Sequence, residues 1–513
     1  SKEFAPRHVK AVFDNLLQAQ PKNHYAVGIV DDVTHSSLEI GPTLNCQEEG
    51  TTQALFFGLG SDGTVGANKA AAAIIGERTE MFAQGHFNYS SQKAGASTVS
   101  HLRFGPKPIR SEYEIEDSPG ADYVACHNMS FLPKFDMLSK AKEGGVFVVN
   151  CPWTNVEELD TYFPAKLRRA IAEKNIRLFC IDAHEVAASV GLPAKRINQV
   201  MQSTFFNLSG VLPYEEAKTH LSRAVDKMFG HKDPAILAAN HAALAAAPER
   251  LNEIAYPRDR WLTVEDSEAS LKVLDPSRTK YSKPLDAFTS TFLKGIDHRS
   301  ADGLPVSAFS PGGETPIGQS EFQKRAHAEE VPVWLPDSCT QCNLCSIVCP
   351  HAVIRPFLLT KNESKQAPEG YISRKAKGEV AGHEYTIQVA PFDCTGCAVC
   401  VEMCPDDSLV MEPQQKSMDS FNEHWEYSLN HTSVKNELME RDSVKGSQFQ
   451  EPLMEFSGAC SGCGETPYVK LLTQMFGERM VIANSSGCSS VWGGSYGLSP
   501  FRKNKDGQGP AWA

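Results

Sequence analysis

Between residues 53 and 230, short apolar runs alternate with longer stretches in which apolar residues recur at helical spacing. The strand-like runs cover residues 54–57, 121–126, 146–150 and 177–181, and the helix-like stretches cover residues 67–77, 156–174 and 214–228. Strands that alternate with helices of this length are typical of βαβ units. The pattern therefore predicts an α/β domain with a largely parallel sheet.

The pattern changes on either side of this domain. An amphipathic helix is predicted over residues 8–19 and a strand over residues 25–30. After residue 235, an Ala-rich helix gives way to Pro, Ser and Gly residues, including those at 311–313, which predict a surface linker. The chain opens on Ser1 rather than Met and ends at residue 513 without a closing element, so we expect it to be part of a longer polypeptide.

Composition limits the classes of protein to consider. A length of 513 residues predicts three or four domains of roughly 100–200 residues each. The formal net charge of -12 disfavours nucleic-acid binding. No apolar run approaches the roughly 20 residues that cross a bilayer. We therefore expect neither nucleic acid nor membrane among the partners.

The 15 cysteines indicate a reducing compartment, because no secretory signal opens the chain. We expect the cytoplasm or a reducing organelle matrix. Cys126, Cys151 and Cys180 lie in apolar strand-like runs and are predicted to be small buried hydrophobic residues rather than redox groups.

Eight of the cysteines form two quartets that each repeat the pattern C-x2-C-x2-C-x3-C-P. In bacterial ferredoxins with this spacing, three thiolates hold one [4Fe-4S] cluster and the fourth ligates the other cluster. The predicted ligand sets are therefore crossed. One set is Cys339, Cys342, Cys345 and Cys404, and the other is Cys394, Cys397, Cys400 and Cys349.

Zinc and disulfides account for the quartets less well. Tetrahedral zinc also binds C-x2-C pairs, but zinc sites use two pairs rather than two quartets that each end in Cys-Pro. Disulfides would imply an exported mini-domain, which a chain of this length does not require.

A glycine-rich segment, Gly58-Leu-Gly-Ser-Asp-Gly63, follows a predicted strand and precedes a predicted helix. It fits G-x-G-x-x-G, in which backbone amides approach a phosphate at a helix N-terminus. The pattern alone fits a turn that packs helix on strand equally well. No Gly-Lys-Ser/Thr follows, which excludes a nucleoside triphosphate loop.

A third cysteine group comprises Cys460, Cys463 and Cys488, each among glycines and small residues. Three thiolates do not complete the four sites of a cubane. From spacing alone, the group is a cluster whose fourth ligand lies after Ala513, a redox dithiol, or a glycine-rich turn with incidental cysteines.

Together these motifs resemble the pyruvate:ferredoxin (or flavodoxin) oxidoreductases. Residues 58–69 resemble the opening of the family's gamma-type domain, and the double quartet resembles its ferredoxin domain. Residues 458–468 and 485–494 resemble the start of its thiamine-diphosphate-binding domain. The motifs occur in the family's order, and the first fifty or so residues resemble the tail of a transketolase-like domain.

The resemblance implies a multidomain α/β protein: a gamma-type α/β domain, a linker, a two-[4Fe-4S] ferredoxin-like α+β domain and the start of a thiamine-binding α/β domain. The expected boundaries are 1–52 for the transketolase C-terminal-like tail, 53–250 for the gamma-type domain, 251–331 for the linker, 332–413 for the ferredoxin-like domain, 414–455 for a connector and 456–513 for the thiamine domain.

The resemblance also implies ligand sites. Cys460, Cys463 and Cys488 would hold the cluster nearest the thiamine, and Glu465 and Cys488 would contact the thiamine cofactor. The implied coenzyme A site comprises Gly60, Ser61, Asp62, Gly63, Thr64 and Lys93, with Asn198 and Asn240 as weaker candidates. This favours coenzyme A over a dinucleotide at the glycine-rich segment. No catalytic residue is assigned, because the pyruvate-binding domain would precede Ser1 and the magnesium-binding motif would follow Ala513.

The implied reaction is the oxidative decarboxylation of pyruvate with coenzyme A to acetyl-CoA and carbon dioxide. Thiamine diphosphate with magnesium would act as electron sink, three [4Fe-4S] clusters would carry the electrons, and ferredoxin or flavodoxin would accept them. A homodimer is expected, and these 513 residues alone should not turn over pyruvate. The alternatives are an NADP-linked relative with a fused flavoprotein and a stand-alone electron-transfer module. The 2-oxo acid itself is not determined by the segment.

Overall fold

The computed structural model describes residues 3–60, 62–194, 196–266, 279–286, 288–293, 295, 301–433 and 435–512. Ser61, one of the predicted coenzyme A contacts, lies outside them. The chain divides into two compact units. The first comprises Ser1–Ser90, Ala96–Leu274 and His298–Pro311, and the second comprises Ser91–Gly95, Asp275–Asp297 and Gly312–Ala513. No helix in the described ranges is long and apolar enough to span a membrane.

The first unit is built on a seven-stranded sheet in the order β2-β3-β1-β4-β5-β6-β7. Its strands are β1 (Thr52–Leu59), β2 (Phe82–Tyr89), β3 (Ser97–Gly105), β4 (Ala121–Cys126), β5 (Ala141–Asn150), β6 (Arg177–Ile181) and β7 (Asn252–Glu253). The pairs β1–β4, β4–β5 and β5–β6 are parallel, whereas β1–β3, β2–β3 and β6–β7 are antiparallel. The sheet is therefore parallel in its centre and antiparallel at both sides.

Helices cover the sheet and bury its two apolar faces. They are α2 (Thr64–Arg78), α3 (Val156–Tyr162), α4 (Ala165–Glu173), α5 (Ala183–Ser189), α6 (Asn198–Ser209), α7 (Tyr214–Phe229), α8 (Pro234–Ala246) and α9 (Arg258–Leu262), and a further helix, α1 (Pro6–Leu16), precedes the sheet in the chain. On one face, the Phe205 ring packs edge-on against Phe56 and Tyr123, with centroids 5.3 and 5.2 Å away. The other face contains Cys126, Cys151 and Cys180. All three are buried, which confirms their prediction as core residues.

Two local predictions were wrong, and one strand was missed. The single helix predicted over residues 156–174 is two helices, because Pro164 removes a backbone donor and Phe163 before it adopts an extended conformation. Residues 25–30 form no strand, and Val30 makes only an isolated bridge to Pro305. Strand β3 was missed because buried polar residues such as Arg103 interrupt its apolar pattern. The Arg103 guanidinium donates to Gln53 Oε1 at 3.0 Å and to the Tyr113 carbonyl at 2.7 Å.

The second unit contains shorter elements. Its strands are β8 (Glu330–Trp334), β9 (Ile354–Leu359), β10 (Arg374–Lys375), β11 (Glu384–Val389), β12 (Leu409–Pro413), β13 (Val481–Ile482) and β14 (Ala511–Trp512). Its helices are α10 (Leu344–Ile347), α11 (Lys361–Gln366), α12 (Val399–Glu402), α13 (Gln414–His431), α14 (Val444–Ser447), α15 (Thr466–Phe476) and α16 (Cys488–Gly493). Trp425 and Tyr385 are the largest side chains fully buried in its main core.

An internal repeat organises the part of this unit that carries the quartets. One offset in residue number relates the two quartets, helix α10 to helix α12, and the left-handed residues Gln341 and Asn343 to Gly396 and Ala398. Strand β8 pairs with β12, and β9 pairs with β11, so that the first strand of each half pairs with the second strand of the other. The backbone crosses between halves in the same way as the predicted cysteine sets.

Candidate functional sites

The first predicted ligand set surrounds a single cavity. Cys339, Cys342, Cys345 and Cys404 line it, and Trp334, Asn343, Tyr385, Ile387 and Pro405 are among the other residues of its wall. Burial, with a smaller contribution from the three neighbouring thiols, raises the pKa of Cys345 to about 12. Four thiolates are stable in such a space only when a positively charged group neutralises them. The donor set therefore fits an iron–sulfur cluster.

The second predicted set is buried more deeply. Cys349, Cys394 and Cys400 are buried and Cys397 is half-buried. Burial raises the pKa of Cys394 to about 12, and burial together with the neighbouring Cys349 and Cys394 raises the pKa of Cys400 strongly. The structure thus brings Cys349 to the other quartet, as the crossed pattern requires. These thiols fit a second cluster for the same reason as the first.

Backbone amides donate to three of the eight sulfurs. Gln341 N–H donates to Cys339 Sγ at 3.4 Å, and Gly396 N–H donates to Cys394 Sγ at the same distance. Ser408 N–H donates to Cys404 Sγ at 3.2 Å. The first two donors are equivalent positions of the repeat, and both residues have positive φ, which turns the amide toward the sulfur. Such hydrogen bonds stabilise negative charge on cluster sulfurs and raise the reduction potential.

Cationic side chains lie close to both sets. Lys377 Nζ donates to the Cys339 carbonyl at 3.3 Å. The pKa of Lys445 is lowered by its partial burial, which the nearby thiols of Cys342 and Cys339 oppose. Burial lowers the pKa of Lys470 to about 8, and Cys349 and Cys345 oppose that shift. The sequence pattern does not indicate Lys470, because only the tertiary fold brings its helix to the quartets.

The third cysteine group is more open than the quartets. Cys460 and Cys488 are exposed, and Cys463 is half-buried. Ser461 Oγ donates to the Thr395 carbonyl at 3.3 Å, and a Cβ built on Gly462 would lie 3.9 Å from Cys397 Cβ. The Cys460–Cys463 loop therefore packs directly on the loop of the second quartet.

Glu465 and Cys488, the predicted thiamine contacts, lie at the starts of two helices. Glu465 precedes α15, and Cys488 is the first residue of α16. Trp492 Nε1 donates to Glu465 Oε2 at 3.2 Å. Cys463 packs against the small apolar cluster that contains Trp492. The indole thus orients the Glu465 carboxylate, a contact that the sequence did not predict.

The glycine-rich loop is a tightly bonded turn at the carboxyl end of β1. Asp62 accepts hydrogen bonds from the N–H groups of Leu59 and Thr64 at 2.8 and 2.7 Å. Gly60 N–H donates to the Ala96 carbonyl at 2.6 Å. Three of the predicted coenzyme A residues thus use polar atoms inside the protein.

His127, which sequence reasoning missed, also belongs to this site. It follows β4, the parallel neighbour of β1, and its Nδ1 shares a 2.7 Å hydrogen bond with Thr64 Oγ1. Burial lowers the pKa of His127 to about 4, a shift that Asp62 opposes, so the imidazole is neutral at pH 7. A polar residue at the carboxyl end of a predicted parallel strand is the signal that could have found it.

The remaining predicted coenzyme A contacts differ in whether their polar atoms already have hydrogen-bond partners. Gly63 has φ +84°, and a Cβ on it would lie 2.0 Å from Asn198 Nδ2. Asn198 Oδ1 is buried and has no hydrogen-bond partner among the described residues. Asn240 Nδ2 donates to the Ile236 carbonyl of its own helix at 2.8 Å. Lys93 is exposed, belongs to the second unit and donates its backbone N–H to Gly458.

Comparison with known families matches both candidate regions. The family described as pyruvate ferredoxin/flavodoxin oxidoreductase matches residues 53–249, and the family described as 4Fe-4S dicluster domain matches residues 338–408. A pyruvate oxidoreductase subunit from Thermotoga maritima, of known structure, aligns with 40% of this chain and 98% of its own at 18% identity and a TM-score of 0.31.

Three curated proteins align with the whole chain. The pyruvate:ferredoxin oxidoreductase of Moorella thermoacetica is 46% identical over 100% of this chain and 43% of its own length. The pyruvate-flavodoxin oxidoreductase of Nostoc sp. is 44% identical, with 100% and 43% covered. The mitochondrial pyruvate dehydrogenase [NADP(+)] of Euglena gracilis is 46% identical, with 100% and 28% covered. The chain therefore spans less than half the length of these relatives.

Proposed function

This chain is homologous along its whole length to the pyruvate:ferredoxin/flavodoxin oxidoreductases, and from that homology we propose that it is the electron-transfer and coenzyme A-binding part of an enzyme that oxidatively decarboxylates pyruvate. In the proposed reaction, pyruvate and coenzyme A give acetyl-CoA and carbon dioxide. Two electrons leave singly and reduce two molecules of ferredoxin or flavodoxin. The observation that carries the proposal is the pair of crossed four-thiol sets, since paired one-electron carriers suit a one-electron acceptor.

Cys339, Cys342, Cys345 and Cys404 would hold one [4Fe-4S] cluster, and Cys349, Cys394, Cys397 and Cys400 would hold the other. When bound, these groups supply one-electron storage at low potential. The protein contributes burial, which excludes water, and the amides of Gln341, Gly396 and Ser408, which donate to sulfur.

Cys460, Cys463 and Cys488 would hold a third cluster with a fourth ligand from elsewhere in the polypeptide. The packing of Gly462 against Cys397 supports this proposal, because it makes the third cysteine loop a neighbour of the second quartet. Electron transfer from one cluster to the next requires such adjacent sites. The hydrogen bond from the Ser461 hydroxyl to the Thr395 carbonyl fixes the spacing between the two loops.

Glu465 and Cys488 would contact thiamine diphosphate, which supplies an electron sink for decarboxylation when bound with magnesium. The Trp492 indole holds the Glu465 carboxylate at the start of α15. A carboxylate oriented in this way can accept a proton or hydrogen bond from a ligand without first reorganising.

The glycine-rich loop would bind coenzyme A through Asn198 rather than through every residue in the loop. Gly60, Asp62 and Thr64 have internal partners and would shape the turn, whereas Asn198 Oδ1 is a buried acceptor without one in the described part of the chain. Asn240 is the weaker amide candidate because its Nδ2 is already bonded.

The complete polypeptide that contains this chain, purified without oxygen, tests the proposal. We expect a mass near twice 56.2 kDa, about twelve irons, as three cubanes require, and acetyl-CoA formation from pyruvate. A native mass near 56 kDa with about eight irons would instead indicate a two-cluster electron carrier and overturn the decarboxylase assignment.

The same assay tests NADP as a second candidate acceptor. Two relatives that are 46% identical to this chain, from Euglena gracilis and Cryptosporidium parvum, are named pyruvate dehydrogenase [NADP(+)]. The candidate function is pyruvate oxidation with electrons delivered to NADP. Reduction of NADP by pyruvate and coenzyme A, without added ferredoxin or flavodoxin, would favour it. Reduction of ferredoxin or flavodoxin alone would exclude it.

A further inference from the structure

The ammonium of Lys470 is buried between the two cysteine quartets. The side chain is only 2% exposed. It extends from α15, and its Nζ donates to the Ser346 carbonyl, to the Ile347 carbonyl at 3.3 Å and to the Cys349 carbonyl at 3.4 Å. Ser346 and Ile347 end α10, so the ammonium lies at the negative end of a short helix within the first quartet.

No carboxylate in the described part of the chain lies within ion-pairing distance of Lys470. Lys324, another deeply buried lysine of this unit, differs, because its Nζ lies 2.7 Å from Asp393 Oδ2. A buried ammonium without a counter-charge is strongly unfavourable. The charged or ionisable neighbours of Lys470 are the thiols of Cys349 and Cys345 and the cationic Arg355. Arg355 has its own partner, because its guanidinium donates to Glu455.

We infer that Lys470 is a positioning residue whose ammonium is the counter-charge of the cluster held by Cys349, Cys394, Cys397 and Cys400, and that it raises the reduction potential of this cluster. The inference rests on the proposed function. Adding an electron to a cluster increases its negative charge, and a cation fixed nearby in a medium of low dielectric constant stabilises the reduced form. The effect is larger on this cluster than on the one held by Cys339, Cys342, Cys345 and Cys404, because Lys470 interacts more strongly with the Cys349 thiol than with the Cys345 thiol.

The position of Lys470 in the chain gives this charge a further role. Helix α15 begins at Thr466, directly after Glu465 and the third cysteine loop. The segment proposed to contact thiamine therefore also places the cation that draws electrons into the neighbouring cluster. Lys470 lies five residues after Glu465, about 7.5 Å along the axis of one helix, so this helix links the two sites.

Two variants separate charge from hydrogen bonding. Lys470→Gln keeps an N–H donor without charge, and Lys470→Arg keeps the charge. The complete polypeptide is titrated under anaerobic conditions, and each cluster is followed by its electron paramagnetic resonance signal. We expect Lys470→Gln to make reduction of the Cys349 cluster about tenfold less favourable, a shift of about 59 mV to lower potential. Lys470→Arg should shift it by less than half as much.

Iron content distinguishes the possible failures. Wild-type protein without clusters would overturn the proposed function itself. Normal iron with unshifted potentials in Lys470→Gln, or equal shifts in both variants, would overturn only the role of Lys470. Loss of the cluster in the Gln variant and its retention in the Arg variant would support the charge requirement, whereas loss in both would show that packing alone is needed and overturn the inference.

Discussion

The cysteine repeat and the glycine-rich loop differ in where their polar atoms find partners. In the repeat, four thiols face one cavity, and Cys349, Cys394 and Cys400 of the second set are buried in the same core, where burial strongly raises the pKa of Cys394 and Cys400. In the loop, Gly60 N–H, the Asp62 carboxylate and the Thr64 hydroxyl are already bonded within the protein. Buried thiols that no cation neutralises indicate a group that must be bound, whereas polar atoms already bonded within the protein indicate residues that shape a turn.

The comparison also separates two kinds of sequence motif. The quartet spacing predicts its chemistry because thiolates at those positions have few alternative uses in a core. The G-x-G-x-x-G spacing is equally typical of a tight helix–strand turn. In the loop, therefore, the informative atom is Asn198 Oδ1, which lies outside the motif and lacks a partner among the described residues.

The largest effect is expected from cysteine variants that test the crossed ligation of the two clusters. Cys349→Ala should remove about four of the eight irons of the two quartets. The double variant Cys349→Ala/Cys394→Ala should lose no more, because both thiols serve one cluster. Cys349→Ala/Cys339→Ala should lose all eight, because these thiols serve different clusters. Iron analysis and absorption spectra of the anaerobic protein would measure this.

The reverse result, with about eight irons lost in the Cys349/Cys394 pair and four in the Cys349/Cys339 pair, would show that each quartet holds its own cluster. The control variant is Ser346→Ala in α10, which removes no cysteine and should retain all eight irons.

A second prediction concerns the charged network beside the repeat. Glu455 is buried and accepts hydrogen bonds from Arg355 and, at 3.0 Å, from Arg502. Glu455→Gln leaves two buried guanidinium groups without their shared counter-charge, so we expect a loss of about 3–5 kcal/mol in the free energy of unfolding. Glu451→Gln, which removes a more accessible partner of Arg502 and leaves Glu455 in place, should cost less. Denaturant unfolding at pH 7 compares them, and equal losses would contradict the role of burial.

The same network predicts a pH dependence. Burial raises the pKa of Glu455, but Arg502 and Arg355 outweigh it and hold that pKa well below the usual range. A depressed carboxylate pKa stabilises the fold above the unfolded value of about 4.3 and loses that stabilisation as pH falls through the folded value. The difference between wild type and Glu455→Gln should therefore be constant from pH 6 to 8 and should shrink below about pH 4.

The sequence predicted those parts of the fold whose determinants are local. The apolar runs at β1, β4, β5 and β6 indicated the parallel centre of the sheet, and the quartet spacing indicated the cysteine sets that the fold brings together. The break between α3 and α4 was also predictable from the sequence, because Pro164 interrupts the helical pattern.

Other features depend on partners distant in the chain. Arg103 in β3 is acceptable in a core because Gln53, Gln84 and the Tyr113 carbonyl accept from it. Lys470 reaches carbonyls more than a hundred residues away, and its neighbours in sequence contain no hint of them. Buried charges of this kind cannot be predicted from sequence alone, because their partners come together only in the folded chain.

A third prediction sharpens the interpretation of the loop as a self-contained turn. Gly63→Ala places a side chain at φ +84°, where it also displaces Asn198. We expect a loss of about 1–3 kcal/mol in the free energy of unfolding of the first unit. Gly66→Ala is the matched control, because a Cβ there meets no atom within 4 Å and the residue lies inside α2. It should stabilise the unit by about 0.5–1 kcal/mol. Denaturant titration followed by circular dichroism would compare them, and similar destabilisation by both would contradict the strained turn.

The smallest effect is expected from a variant that tests whether the glycine-rich loop also binds coenzyme A. Asn198→Ala removes the predicted contact whose buried oxygen lacks a partner in the described part of the chain. In the complete enzyme we expect the KM for coenzyme A to rise about threefold to tenfold, the value of one hydrogen bond, with kcat unchanged. Asn240→Ala should leave that KM unchanged, because its Nδ2 serves its own helix. If both variants raise KM equally, the distinction between an amide with an unpartnered oxygen and one bonded to its own helix fails at this site. If neither does, the loop is a structural turn and coenzyme A binds elsewhere.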